Sequence, residues 1–391
     1  MRPGSWGSIF LIYFYIVLGG SSMGKIIPVV PDLAHAMNCS MQTAAWFISV
    51  VAVAALLLAP LGGELTDRMG DRKVLLIGVL ASLIGTGGDI VARNVAELMA
   101  TRSIEGVGFI CLSLGSTAMM VRTVQGPRQV VAMAIASTGV PLGIGIAQAL
   151  GGLAAGGANW RDVFWGSGII LAISLFGLLL VPGWKPTRSA GHVNASWVNV
   201  ASKSGPLRLA LGIGVATIIL FGLGTLFPVF LEQAHGLSPA QANAFGVVSF
   251  PSSIIGSLML GGILTRFKNV AALIWFSLVV MAVTGIAAFI PALGVNFSVA
   301  SLVLFYVVGG MLGGIAMSRL PTVAPNPAAI GVTTGLFLQG SNLGILIAPP
   351  IIFFCYYSQR GLGAVMGLIL ACTILTLWLW AFDKKIAAAQ A

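Results

Sequence analysis

Arg102 and Glu105 stand three residues apart in an otherwise apolar stretch, which puts a fixed cation and a titratable carboxylate on one face of a helix. Ionised groups inside an apolar segment long enough to cross a bilayer are costly, and they face a cavity or a partner. Three readings are open for this pair. Glu105 binds a proton that Arg102 tunes, or the pair opens when a substrate competes for the guanidinium, or it is a permanent ion pair stapling helices together. Lys25, in Gly24-Lys25-Ile26-Ile27-Pro28, is a further cation in an apolar run. It either snorkels to the outer surface or points into a central cavity, where it would favour an anionic group on a substrate.

Neutral amides supply a second kind of chemistry. Gln148 offers a buried amide for a substrate or a neighbouring helix, and Gln339 and Asn342 share one helical face with the same two options. Asp89, Asp162 and Glu232 fall near outer helix ends, where water is expected to reach them, and they are read as structural. His35, His192 and His235 are far apart, and Cys39, Cys111, Cys355 and Cys372 show no Cys-x-x-Cys spacing, so no metal, cofactor or disulfide framework is expected. No nucleophile–base cluster and no nucleotide-binding loop are found, so the chain is not read as an enzyme, and any transport it performs would draw on an ion or substrate gradient.

The elements that must hold these groups are membrane helices. Of the 391 residues 58% are hydrophobic and 8% charged, and the mean hydropathy is +1.01; ordinary soluble domains carry roughly a quarter charged residues. Spans of about 20 apolar residues are predicted at 9–30, 44–61, 74–90, 98–120, 130–155 and 163–181, then at 207–230, 244–264, 270–292, 298–317, 330–354 and 362–382. The first run lacks a small-residue cleavage site and is read as retained. The expected organisation is a six-helix bundle over 1–182, a polar cytoplasmic linker over 183–206 and a second six-helix bundle over 207–391. A net charge of +10 would point to nucleic acid in a soluble protein. Here Lys and Arg collect on the side of the N-terminus, with Arg93, Arg161 and Arg360 opposite, so the positive-inside rule accounts for the charge and sets both termini in the cytoplasm.

Between the second and third runs lies a charged knot, Gly62-Gly63-Glu64-Leu65-Thr66-Asp67-Arg68-Met69-Gly70-Asp71-Arg72-Lys73. Gly63 permits close helix approach, Asp67 is placed to meet a helix N-terminus or an Arg, and Gly70 allows the positive φ of a tight turn. Arg68, Arg72 and Lys73 stay in water or reach phosphate head groups. The knot resembles the signature between the second and third helices of the major facilitator superfamily of secondary transporters. That resemblance implies a conformational latch formed by Gly63, Asp67, Arg68, Gly70 and Arg72, with Asp67 facing the start of the eleventh helix. Gly261-Gly262-Ile263-Leu264-Thr265 echoes Gly62–Thr66 at the end of the eighth run and argues for two related halves.

Other matches to the same family are partial. Arg102-Ser103-Ile104-Glu105-Gly106 resembles its fourth-helix Arg-x-x-Gln-Gly, whose Arg is linked to proton coupling, with Glu105 in place of the Gln. The fifth run resembles the antiporter pattern at Gly143, Gly151 and Gly152 but holds Ala147 and Gln148 where the pattern has Gly-Pro. No Asp occupies the body of the first run where drug antiporters of the superfamily carry one. The expectation is an all-α integral membrane protein of twelve transmembrane helices in two pseudo-symmetric six-helix bundles, working as a monomer in the cytoplasmic (inner) membrane by alternating access. Its partners would be a small-molecule substrate, protons and the lipid bilayer, with no nucleic acid. Lys25, Arg102, Gln148, Gln339 and Asn342 are the expected substrate contacts and Glu105 with Arg102 the proton-coupling pair. An anionic or zwitterionic metabolite or a siderophore is the expected solute; the alternative is a multidrug or metabolite efflux antiporter, and a transport-dead receptor or scaffold is a further rival.

Overall fold

The computed structural model describes residues 5–58, 69–124, 127–153, 159–181, 197–267, 269–326 and 329–380. Among them there is no strand, as lipid demands of an open chain, because only a helix satisfies its own backbone groups in hydrocarbon. Among the described residues twelve helices are long and apolar enough to cross a membrane: Trp6–Ala36, Met41–Leu58, Asp71–Val91, Val95–Thr123, Val131–Gly152, Arg161–Leu180, Ser204–His235, Pro239–Leu260, Val270–Ala287, Val295–Val323, Ile330–Tyr356 and Leu362–Trp380. They are numbered here as spans 1 to 12. The protein is a multi-pass membrane protein.

Local sequence sets the ends of these helices. Ser40 and Asn94 accept hydrogen bonds from the backbone N–H groups of Thr43 and Glu97, and Ser238 with Gln241 forms a capping box. Gly236, at φ 65°, closes span 7. Two spans are interrupted. Span 1 is α-helical over Trp6–Gly24, passes through a 3-10 turn at Ile27–Val29 containing Pro28, and resumes over Val30–Ala36. Span 2 is split into Met41–Ser49 and Val51–Leu58. Each break frees backbone carbonyls from the helical ladder.

The chain divides into two compact units, Met1–His192 and Val193–Ala391. Inside each, the same helix pairs pack: spans 1 and 5, 3 and 4, 2 and 4, 3 and 6 in the first, and 7 and 11, 9 and 10, 8 and 10, 9 and 12 in the second. Glycines set the close approaches. A Cβ at Gly20 or Gly24 would meet the backbone of Val140 or Ile144, and one at Gly340 or Gly344 would meet the backbone of Ala210 or Gly214.

Residues 182–196 lie outside the described residues. The interval expected to be a polar linker is partly helical, over Trp197–Ala201, with the Trp197 indole against Gly335 of span 11. Span 7 starts at Ser204, earlier than the apolar run that announces it.

Candidate functional site

The first unit holds a set of ionised groups withdrawn from solvent, and the glycines of spans 3 and 4 make room for it. A Cβ at Gly85 would run into the backbone of Glu105 and the carbonyl of Thr101, and one at Gly88 into the Thr101 side chain. With hydrogens in those places, Thr86 and Asp89 of span 3 reach Thr101, Arg102 and Glu105 of span 4. Lys25, Asp89, Arg102 and Glu105 are each 0–2% exposed.

Glu105 is at the centre. Its Oε1 accepts hydrogen bonds from Lys25 Nζ and from the Thr86 hydroxyl, and its Oε2 accepts from Arg102 Nη1. Lys25 Nζ also donates to Thr86 Oγ1 at 2.8 Å, so the hydroxyl accepts a hydrogen bond from the ammonium and donates one to the carboxylate. The ammonium lies 5.0 Å from the centre of the Phe164 ring of span 6, within cation–π range.

Arg102 is held by the two helix breaks. Its Nη2 donates to the carbonyl of Ser22, in the last turn before span 1 unwinds, at 2.9 Å. Its Nε donates to the carbonyl of Phe47, in the last turn before the interruption of span 2, at 3.1 Å. Helix C-terminal carbonyls carry partial negative charge, so both breaks suit a cation. Asp89 completes the set: its Oδ2 stands 4.0 Å from Arg102 Nη1, and its Oδ1 accepts from the Thr101 hydroxyl at 2.5 Å.

Two expectations are corrected by this geometry. Lys25 neither snorkels outward nor stands free in a cavity, because Glu105 and Thr86 hold it. Asp89 is not at a water-reached helix end; the glycine seam closes span 4 over it. Its signal was present in the sequence as Gly85-Thr86-Gly87-Gly88-Asp89, where small residues allow a neighbour to close over an acid. Thr86 and Thr101 went unmarked for the same reason, since a hydroxyl's partner is set by tertiary packing.

The remaining expected positions are dispersed. Gln148 on span 5 is fully buried, and neither atom of its amide has a hydrogen-bond partner. It falls between Ile144, whose backbone meets Gly24, and Gly151, which faces Pro28 and the carbonyl of Lys25, so it borders the unwound part of span 1. Gln339 and Asn342 belong to span 11 in the second unit, the first half-buried and the second 8% exposed. Of the latch, Gly63, Asp67 and Arg68 lie outside the described residues. Gly70 has φ 82°, and Arg72 is exposed. Neighbouring Asp71 is buried and accepts from Arg122 Nη1 at 2.8 Å, tying the start of span 3 to the end of span 4.

The family model described as Major Facilitator Superfamily matches residues 9–349. The chain belongs to the major facilitator superfamily. It is thus a transporter and not an enzyme, and it handles a small-molecule substrate. Curated relatives of this superfamily include an uncharacterized MFS-type transporter, YceJ, of Bacillus subtilis, 23% identical over 98% of this chain and 97% of its own length. The 3-(3-hydroxy-phenyl)propionate transporter of Escherichia coli is 24% identical over 81% of this chain and 79% of its own length. Multidrug resistance protein 2 of Bacillus subtilis is 22% identical over 92% and 94%.

Proposed function

We propose that this superfamily member is a proton-coupled transporter of a small organic carboxylate across the cytoplasmic membrane, and that the Lys25–Thr86–Glu105–Arg102–Asp89 set is its coupling centre. The observation that carries the reading is the bonding of two cations to one fully buried carboxylate. Such a pairing costs desolvation of every member, yet it leaves Lys25 and Arg102 able to exchange Glu105 for an incoming carboxylate of the same geometry. A drug-like cation would find both cations in its way. The relative named for 3-(3-hydroxy-phenyl)propionate handles a solute with a carboxylate, which supports the same class here.

Gln148 serves in this reading as a substrate contact. A buried amide with no partner costs about 1–3 kcal/mol, and hydrogen bonds to a bound solute offset that cost. Gln339 and Asn342 are assigned to the solute path of the second unit, and Gly63, Asp67, Arg68, Gly70 and Arg72 to the latch, on the sequence resemblance. Both termini are assigned to the cytoplasm on the distribution of Lys and Arg, and the working unit is taken as a monomer.

The efflux reading has one observation in its favour. Gly143 and Gly151 of span 5 pack against span 1 at Val17 and Pro28, the helix pair in which the antiporter-like pattern falls, and a multidrug resistance protein is among the relatives.

The test is uptake into proteoliposomes with an inside-alkaline pH gradient, using labelled 3-(3-hydroxyphenyl)propionate, benzoate, citrate and ethidium as probes. Gradient-driven accumulation of a carboxylate supports the proposal. Movement of ethidium alone, or carboxylate movement indifferent to the gradient, contradicts it.

A further inference from the structure

The coupling centre holds two carboxylates in different surroundings. Glu105 receives three hydrogen bonds, two of them from cations. Asp89 receives one, from a neutral hydroxyl, and its second oxygen has no hydrogen-bond donor and stands 4.0 Å from the nearest guanidinium nitrogen. A carboxylate bonded by cations stays ionised, whereas one taken out of water with little compensation is driven to the neutral form.

The groups around Asp89 confirm the asymmetry. From span 4 it faces Thr101 and Arg102, with Glu105 one turn further along, and Arg102 is already committed to Glu105 and two carbonyls. Lys25 of span 1 is turned to Glu105 and Thr86. On span 6, Arg161 donates to the carbonyls of Ile90 and Ala92, at 2.9 and 3.5 Å, and stacks on Trp160, while Asp162 is exposed. In the first turn of span 4, Glu97 is engaged by the backbone N–H of Arg93 and by Asn94. Among the described residues no cation donates a hydrogen bond to Asp89. It is also two residues from Val91, the last residue of span 3, less than one helical turn from the helix end.

We infer that Asp89, and not Glu105, is the proton-binding group of this transporter. The inference rests on the coupling centre proposed above and gives it a charge logic. With Asp89 ionised, Lys25 and Arg102 are balanced by two carboxylates and the set is neutral. With the proton on Asp89 the set carries one net positive charge, and a carboxylate solute can displace Glu105 from one cation without leaving the centre negative. Proton and anion therefore favour each other's binding, and by linkage the coupling is reciprocal. The proton is taken up as H⁺ by one oxygen of Asp89 and leaves as H⁺, with no other bond made or broken.

Infrared difference spectroscopy of the wild-type protein in nanodiscs tests this without a substrate. A pH jump should reveal the C=O stretch of a buried, protonated carboxyl. The band should shift in protein grown with carboxyl-¹³C aspartate, stay in place with carboxyl-¹³C glutamate, and be lost in Asp89→Asn while Asp71→Asn retains it. A band that moves with the glutamate label, one that survives in Asp89→Asn, or no titrating carboxyl band at all overturns the inference. The labelled wild-type arm decides the matter should the variant fail to fold. Failure of every carboxylate probe in proteoliposomes would remove the anion reading and leave the band assignment standing. A carboxylate uptake that follows the pH gradient in Asp89→Asn as in wild type would remove Asp89 alone.

Discussion

The two six-helix units use the same helix pairs, but their centres are made of opposite materials. An offset of 200 residues carries Gly85 onto Gly285 and Glu105 onto Phe305, and each glycine abuts its partner: a Cβ at Gly85 would strike Glu105, and one at Gly285 would meet the Phe305 ring at 3.2 Å. The same offset carries Asp89 onto Phe289 and Arg102 onto Leu302. Where the first unit gathers two buried acids and two buried bases in one cluster around Glu105, the second packs Phe227, Phe230 and Phe289 in mutual ring contact, with Phe305 against Tyr306. A repeated scaffold thus tolerates either filling, so the ionised one is not required by the fold. Replacing a buried ion pair by apolar groups of similar size is often neutral or stabilising, and apolar residues stand at the offset positions of the second unit. On the proposed reading the charges of the first unit are kept for transport.

The sharpest way to break this comparison is to unbalance the charges. Arg102→Leu alone leaves Glu105 and Asp89 facing a single cation and frees the carbonyls of Ser22 and Phe47. It should lower thermal stability in detergent by about 3–5 kcal/mol and abolish uptake. Transplanting the second unit's chemistry is the complement. The combined Lys25→Met, Asp89→Leu, Arg102→Leu and Glu105→Phe protein should fold with stability within about 1–4 kcal/mol of wild type, on either side, while uptake is absent. A well-folded quadruple variant that still transports would contradict the division of roles.

Smaller changes refine it. Gly85→Ala should cost about 1–3 kcal/mol by overpacking, because the added methyl meets backbone atoms of span 4 at 2.8 Å, whereas Gly285→Ala meets only side-chain atoms, of Phe305 and Leu223, at 3.2–3.4 Å and should cost less. Equal losses by thermal unfolding would show that the two seams are equally tight. Thr86→Val removes the hydroxyl shared by Lys25 and Glu105 and should cost about 1–3 kcal/mol with a slower uptake rate. Arg72→Ala, on the exposed side of the turn, should stay within about 0.5 kcal/mol.

The helical architecture was legible because a bilayer imposes a length and a polarity that few other environments require. Each of the twelve apolar runs corresponds to a helix long enough to cross a membrane, and Gly70 adopts the positive φ expected of it. The site was legible only where both partners share a helix. Arg102 and Glu105 are three residues apart and meet as helical spacing requires, whereas Lys25 joins Glu105 across 80 residues, and nothing local to Gly24-Lys25-Ile26 names that partner. Asp89 was read as wet from its nearness to a helix end. Its burial comes from glycines that admit a neighbouring helix, a property of two sequences taken together. The carbonyls that hold Arg102 were hidden for a related reason: they become acceptors only because spans 1 and 2 break, and of the two interruptions only Pro28 marks its own in the sequence.

The most direct measurement of the central claim compares wild type with Glu105→Gln in proteoliposomes, following carboxylate uptake driven by a pH gradient and carboxylate exchange without one. Glu105→Gln leaves Asp89 as the remaining counter-ion of two buried cations, and therefore ionised. The account predicts that gradient-driven uptake is lost while exchange is still measurable. Gradient-driven uptake at the wild-type rate would contradict it.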